Sequence, residues 1–257
     1  LYSFTLIPSL SLTTEMVKLS LIYFDFFLVV NQFFGFLLVG IAGFFFNTID
    51  KGWQWSDAGK GNMGNLNLHA MFMTTGFVFL QGEALLSYRM YRRDAKLISK
   101  FMHFILHSMA LGLAGCGLYS AIRHKETHNV AQFQTVHSWL GLALLGAYVV
   151  QYAFGLINFG LGIMPAKTRA SFLPLHRIIG CIIFGVTSAQ ALLGQITYTN
   201  FATNLPEFNC YKTLSCLNHL DWVYNSQVIS LVIYSISLLV LVTPSAWKRA
   251  KTIDELE

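Results

Sequence analysis

Charge is what this sequence has least of. Only 11% of its 257 residues are Asp, Glu, Lys or Arg, against about 25% in a soluble domain. That scarcity excludes a soluble globular protein. The four cysteines show no CxxC pair and no zinc-type spacing. There is no nucleotide-binding motif, no solenoid-type repeat and no low-complexity tract. The net charge of +5 is not gathered into a basic patch with interleaved aromatics, so it does not point to nucleic acid. What is present is apolar: 54% hydrophobic and 15% aromatic residues, with a mean hydropathy of +0.53. The chain reads as an integral membrane protein.

Six apolar runs, 21–46, 68–88, 101–122, 136–161, 175–197 and 222–242, each approach the roughly 20 residues that a helix needs to cross a bilayer. The expected fold is therefore all-α, with six transmembrane helices. Residues 1–20, rich in Ser and Thr and holding Met16 as a candidate start, are expected to be a leader. Residues 21–249 form the membrane unit and 250–257 a tail. With the N-terminus inside, 12 of the 17 Lys and Arg fall on inner segments. Lys51, Lys60, Arg123, Lys125 and Lys212 are outer. The positive-inside rule then puts both termini in the cytoplasm. Cys116 and Cys181 lie within apolar runs and read as packing residues. Cys210 and Cys216 share an outer polar loop where a disulfide could form.

Histidine is abundant for so apolar a chain, with eight copies. His69, His103, His137 and His176 each open a span. Alternating span directions place His69 and His137 near the outer face, and His103 and His176 near the inner face. Zinc would need about four converging ligands, and each depth offers two. Two imidazoles approaching one iron from opposite sides suit a haem between helices, so two bis-histidine haems are expected. Gly112, Gly115, Gly141, Gly146, Gly180 and Gly185 would let a flat macrocycle sit between backbones. His107, one turn beyond His103, is expected to hydrogen-bond rather than ligate.

The stretch KLISKFMHFILH (96–107) couples this lattice to a donor. Lys96, Lys100, His103 and His107 follow steps of four, three and four, so all four share one helix face. Lys100 lies roughly 4.5 Å before His103 along the axis. A site for an anion adjoins a site for a metal.

The sequence resembles the cytochrome b561 family. The histidine spacings of 34, 34 and 39 residues match, as do FLQGEALLSYR (79–89), TVHSWLG (135–141) and LPLHRIIG (173–180), within a likeness covering about 28–249. The resemblance implies two haem b groups in a four-helix core formed by helices 2–5. It pairs the histidines as the topology does. It implies a cytoplasmic ascorbate site at Lys96, Lys100 and Arg169. It implies an outer acceptor site at His124, with Arg123 beside it and Phe201 as a matching aromatic. The sequence departs from the family in Ala70, where many members have proline, and in Glu83, where they have a neutral residue.

The function expected is transmembrane electron transfer from cytoplasmic ascorbate to monodehydroascorbate or a ferric chelate on the far side. Homodimers are frequent in the family. Two rivals differ in what they require. A di-haem anchor for a quinol or flavin system needs a redox partner, and a channel or transporter relaying protons through its histidines needs no haem. An endomembrane vesicle, the lysosome or vacuole, and the plasma membrane all remain open as locations.

Overall fold

The computed structural model describes residues 8–55, 62–202 and 219–248, and among them the chain is helical, without a strand. Helix α1 spans Pro8–Thr48. A helical stretch over 64–90 follows, made of α2 (Gly64–Phe72), a π-helical segment (Met73–Leu80) and α3 (Gln81–Met90). Then come α4 (Lys96–Thr127), α5 (Val136–Gly155) prolonged by a π turn (Leu156–Gly160), α6 (Ala166–Ala202) and α7 (His219–Val242). A 3₁₀ turn at Ser245–Trp247 closes the described chain.

Among the described residues five stretches are long and apolar enough to cross a membrane: Lys18–Thr48, Lys96–Thr127, Val136–Gly160, Ala166–Asn200 and Leu220–Val242. The expected second span, 68–88, lies within the helical stretch 64–90. Its π segment divides that stretch into pieces of 9, 8 and 10 residues.

The helices overrun the apolar runs. α4 begins at Lys96 and ends at Thr127, so His124 stands in its last turn rather than in a loop. The cause is local. Lys, Glu and Arg are good helix formers, and Thr127 Oγ1 lies 3.0 Å from the carbonyls of Arg123 and His124, closing the helix end. α6 likewise starts at Ala166 and carries Lys167 and Arg169 in its first turn, with Pro174 inside it. His219 is the first residue of α7, not a loop residue. α5 starts sharply because Thr135 caps it, its hydroxyl accepting from the Ser138 amide at 3.2 Å. Cys116 is exposed on α4 rather than packed, and Cys181 is half-buried. Cys210 and Cys216 lie outside the described residues.

Packing groups the helices in pairs. The stretch 64–90 lies against α4, α5 against α6, and α1 against α7. The consecutive helices α4 and α5 barely touch. The first two pairs therefore face each other as units. Phe77, Ala110, Ala114, Leu144, Tyr148 and Ile183 fill the centre between them. The α1–α7 pair joins through Leu38, Val78, Phe79, Leu86, Phe184 and Tyr234. Lipid tails are as apolar as these side chains, so close van der Waals fit and polar clamps hold the helices together. Asn31 supplies one clamp, donating to the Tyr234 carbonyl and to Ser237 Oγ, both at 2.9 Å. Asn67 supplies another. It donates to the Gly52 carbonyl at 3.1 Å and accepts from Tyr198 at 2.7 Å.

Candidate functional site: two imidazole pairs

The four histidines meet as the topology requires. The His69 and His137 rings have centroids 6.2 Å apart at an interplanar angle of 89°. For His103 and His176 the values are 6.4 Å and 69°. Two imidazoles on opposite sides of one metal, each bound through a ring nitrogen at about 2 Å, have centroids roughly 6 Å apart. Both pairs match that separation. Among the described residues no group of three or more His, Cys, Asp or Glu converges, so the donor sets are pairs.

Each ring is also held from behind. His69 Nδ1 donates to the Gly117 carbonyl at 2.8 Å, and His103 Nδ1 to the Ala84 carbonyl at 2.8 Å. A carbonyl only accepts, so in both rings Nδ1 carries the hydrogen and Nε2 keeps its lone pair for a metal. The other two rings are gripped by glutamines. Gln190 Nε2 stands 2.9 Å from His137 Nδ1, and Gln151 Nε2 stands 3.0 Å from His176 Nδ1. Each amide nitrogen donates to the backbone carbonyl of the same histidine. Glycines make room for these rings. A Cβ at Gly194 would lie 2.9 Å from His137 Cε1, and one at Gly155 would lie 3.0 Å from His176 Cε1.

These contacts are reciprocal. α5 gives His137 to one layer and Gln151 to the other, and α6 gives His176 and Gln190 in the opposite sense. Both helices carry the same spacing, H-x3-G-x9-Q-x3-G, at 137–155 and 176–194. On α4, His103 and Gly117 are 14 residues apart, as are histidine and glutamine on α5 and α6. Fourteen residues of α-helix rise about 21 Å, which separates the two layers. From His69 to Ala84 the count is 15, and the π segment lies between them. A π turn takes up one extra residue, so both ends still meet their partners. Comparing α5 with α6 residue by residue would have exposed this repeat. Individually, Gln151 and Gln190 look like stray polar residues in apolar runs.

The glycines divide differently from the expectation. Gly141 and Gly180 stand one turn from their histidines and face Gln190 and Gln151. Gly112, Gly146 and Gly185 each follow a histidine by nine residues. That is two and a half turns, which puts them on the opposite helix face, and a Cβ there would meet nothing within 4 Å. They do not flank the imidazoles. His107 hydrogen-bonds as expected, with Nδ1 2.7 Å from Tyr148 Oη, and its ring lies 4.4 Å from that of His103.

At the end of the bundle that carries His103 and His176, Lys100 Nζ approaches the Gly160 carbonyl at 3.4 Å. The Arg169 guanidinium lies beside Gly162, whose φ of +69° turns the chain there. These two cations thus converge on the turn that ends α5. Lys96 is exposed at the start of α4, one turn from Lys100. At the opposite end the residues expected to form the acceptor site are less free. Arg123 is paired with Glu126 at 2.7 Å. His124 stacks near His128 at 4.2 Å, and its buried Nδ1 has no hydrogen-bond partner among the described residues. His124 lies seven residues beyond Gly117, about two turns along the same face. Phe201 lies in the last turn of α6 with a helical backbone, and its side chain lies outside what is described.

Known proteins are similar to this chain. The eukaryotic cytochrome b561 family matches residues 68–202, which include all four paired histidines and both glutamines. A Caenorhabditis elegans homologue of the transmembrane ascorbate-dependent reductase CYB561 is 29% identical, over 90% of this chain and 87% of its own. The Bos taurus transmembrane ascorbate-dependent reductase CYB561 is 27% identical, over 90% and 86%. The Xenopus laevis plasma membrane ascorbate-dependent reductase CYBRD1 is 27% identical, over 84% and 75%. With its histidine pairs inside the matched region and that region spanning more than half its length, this chain belongs to the cytochrome b561 family.

Proposed function

We propose that this protein carries electrons across a membrane, from cytoplasmic ascorbate to monodehydroascorbate or a ferric chelate on the far side. The observation that carries the reading is the pair of imidazole pairs, 6.2 and 6.4 Å between centroids, about 21 Å apart along the helices. His69 and His137 would hold one b-type haem and His103 and His176 a second. Bound haem supplies one-electron redox chemistry.

The chain's own residues do the rest. Gly117, Ala84, Gln190 and Gln151 fix the four rings. The packed centre around Phe77, Leu144 and Tyr148 keeps water from between the layers. Lys100 and Arg169, with Lys96 beside them, give a cationic mouth next to the inner pair, suited to binding and orienting the ascorbate anion. On the outer side, His124 is the residue best set to meet an acceptor, with Arg123 beside it in the chain and Phe201 in the last turn of α6. This reading takes six spans with both termini cytoplasmic, the stretch 64–90 being the second of them and helices 2–5 the haem-bearing core. A charge crossing the membrane exchanges about 2.3 kcal/mol per 100 mV, so a negative interior favours outward electron flow.

The test is a visible spectrum of purified protein, followed by addition of ascorbate. The expected result is a b-type spectrum from two haems per chain that ascorbate reduces. A protein without a haem spectrum, or a haem spectrum indifferent to ascorbate, would overturn the reading.

A further inference from the structure

Glu83 lies in the first turn of α3, within the expected second span, on the side that meets α1 and α7 rather than the histidine pairs. Gln32 Nε2 of α1 stands 3.0 Å from its Oε1 and 2.9 Å from its Oε2. The hydroxyl of Tyr234, from α7, stands 3.1 Å from Oε1 and 2.9 Å from the Phe79 carbonyl. Tyr234 is fully buried. Gly35 and Gly82 form its socket, since a Cβ at either would collide with the tyrosine.

The hydrogens and the lack of a counter-charge both bear on the state of Glu83. Gln32 Nε2 spans the two carboxyl oxygens, and Tyr234 has one hydrogen for two acceptors. An ionised Glu83 would draw that hydrogen away from the Phe79 carbonyl. A carboxyl that carries a hydrogen of its own gives it to the tyrosine oxygen and leaves the tyrosine hydrogen to the Phe79 carbonyl. No cation compensates a negative charge at this place. Among the described residues the ion pairs are Lys18–Glu15, Arg92–Asp25 and Arg123–Glu126. Arg89, six residues on along α3, directs Nη2 to the Val242 carbonyl at 2.6 Å. The titratable groups around the site are thus Tyr234 on α7, Asp25 two turns toward the inner end of α1, Arg89 on α3, and Arg177 and Cys181 of α6, which lie near Arg89. An isolated ionisable group at such a depth is expensive unless it has work to do.

We propose that Glu83 is a proton-binding site inside the membrane, a neutral carboxylic acid that donates to Tyr234, which in turn donates to the Phe79 carbonyl. The ligand is a proton, exchanged with cytoplasmic water as carboxylic acid against carboxylate. Its position gives it a task that rests on the reading above. The next residue, Ala84, holds His103 by its carbonyl. An electron resident at the His103–His176 layer adds negative charge close by and favours the protonated acid. Its departure favours release. The site stores a proton in step with the electron.

Infrared difference spectroscopy tests this on the purified chain in lipid. Wild type minus Glu83→Gln at neutral pH should show the C=O stretch of a protonated carboxylic acid, shifted in heavy water, and Tyr234→Phe should displace that band. Carboxylate stretches in place of the acid band would overturn the proposal. So would an acid band unmoved by Tyr234→Phe, a variant that keeps its ring packing where Glu83→Gln fails to fold. These readings do not need haem, so a chain that shows the acid band and binds no haem refutes only the electron-transfer function. In haem-loaded protein, the midpoint potential of the inner centre should vary less with pH in Glu83→Gln than in wild type. Equal slopes would sever the link to the electron.

Discussion

Replacing Gln151 with Leu should weaken one cofactor site and leave the other untouched. The side chain fills similar space, so the change removes hydrogen bonds rather than volume. Two contacts go with it, one to His176 Nδ1 at 3.0 Å and one to the His176 carbonyl at 2.6 Å. A buried polar group left without its partner costs about 1–3 kcal/mol. Loss of a residue that orients a metal-bound histidine typically lowers metal affinity by about 10- to 100-fold. That range corresponds to about 1.4–2.7 kcal/mol, so the two estimates agree for a Gln151→Leu variant. The reciprocal arrangement adds a sharper demand. Gln151 sits on the helix that supplies His137, yet it serves His176. The loss must therefore appear at the inner pair, about 21 Å from the ligand on its own helix. Titrating apo-protein with haem and following the Soret band in two phases measures both affinities. One phase should weaken by about 10- to 100-fold and the other stay fixed. Gln190→Leu should reverse the phases, and the double variant should show both losses independently, since such distant sites add. Equal weakening of both phases in either single variant would refute the crossed support, and so would no change in either.

Three further outcomes follow from the site. His103→Ala should leave about half the haem, still held by His69 and His137, by pyridine haemochrome assay; a full pair surviving in His103→Ala with His137→Ala would break the assignment. Lys100→Ala should raise the ascorbate concentration needed for half-maximal reduction by about tenfold, the scale of one charge-assisted hydrogen bond, with the spectrum unchanged. Unaltered reduction in a Lys96, Lys100 and Arg169 triple alanine variant would remove the inner site. His124→Ala should slow oxidation of the reduced protein by ferric chelates in oriented vesicles without changing its reduction by ascorbate, and identical stopped-flow traces would take His124 out of the acceptor site.

Much of the architecture was legible in the residues, because lipid imposes simple rules. Apolar runs near 20 residues announce helices, and histidines placed at their ends announce depth. The paired rings stand where alternating spans require. Other features were hidden for physical reasons. Helices do not stop where the hydrocarbon does, so α4 and α6 extend into their charged flanks and carry His124 and Arg169 in regular turns. The π segment Met73–Leu80 has no distinctive composition. Glu83 has its partners 51 residues upstream and 151 downstream, and only tertiary packing introduces them. Gln151 and Gln190 escape notice because each acts on the neighbouring helix, and a one-helix pattern cannot reveal a two-helix contact.

The extra residue between His69 and Ala84 has a consequence for how such a chain tolerates change in length. In an α-helix every inserted or deleted residue turns all that follows by about 100° and shifts it by about 1.5 Å. A deletion between His137 and Gln151 would aim one of them away from its partner, and haem binding should fail on that side. The stretch Met73–Leu80 already holds its surplus in a wide turn, so dropping one residue there relaxes the turn to α-helix and leaves both ends in register. Haem content should survive a single deletion at Thr75 and collapse with one at Ala143. The wide turn is a slack link between the layers, a place where the chain's length can drift by a residue while the layers it joins stay where they are.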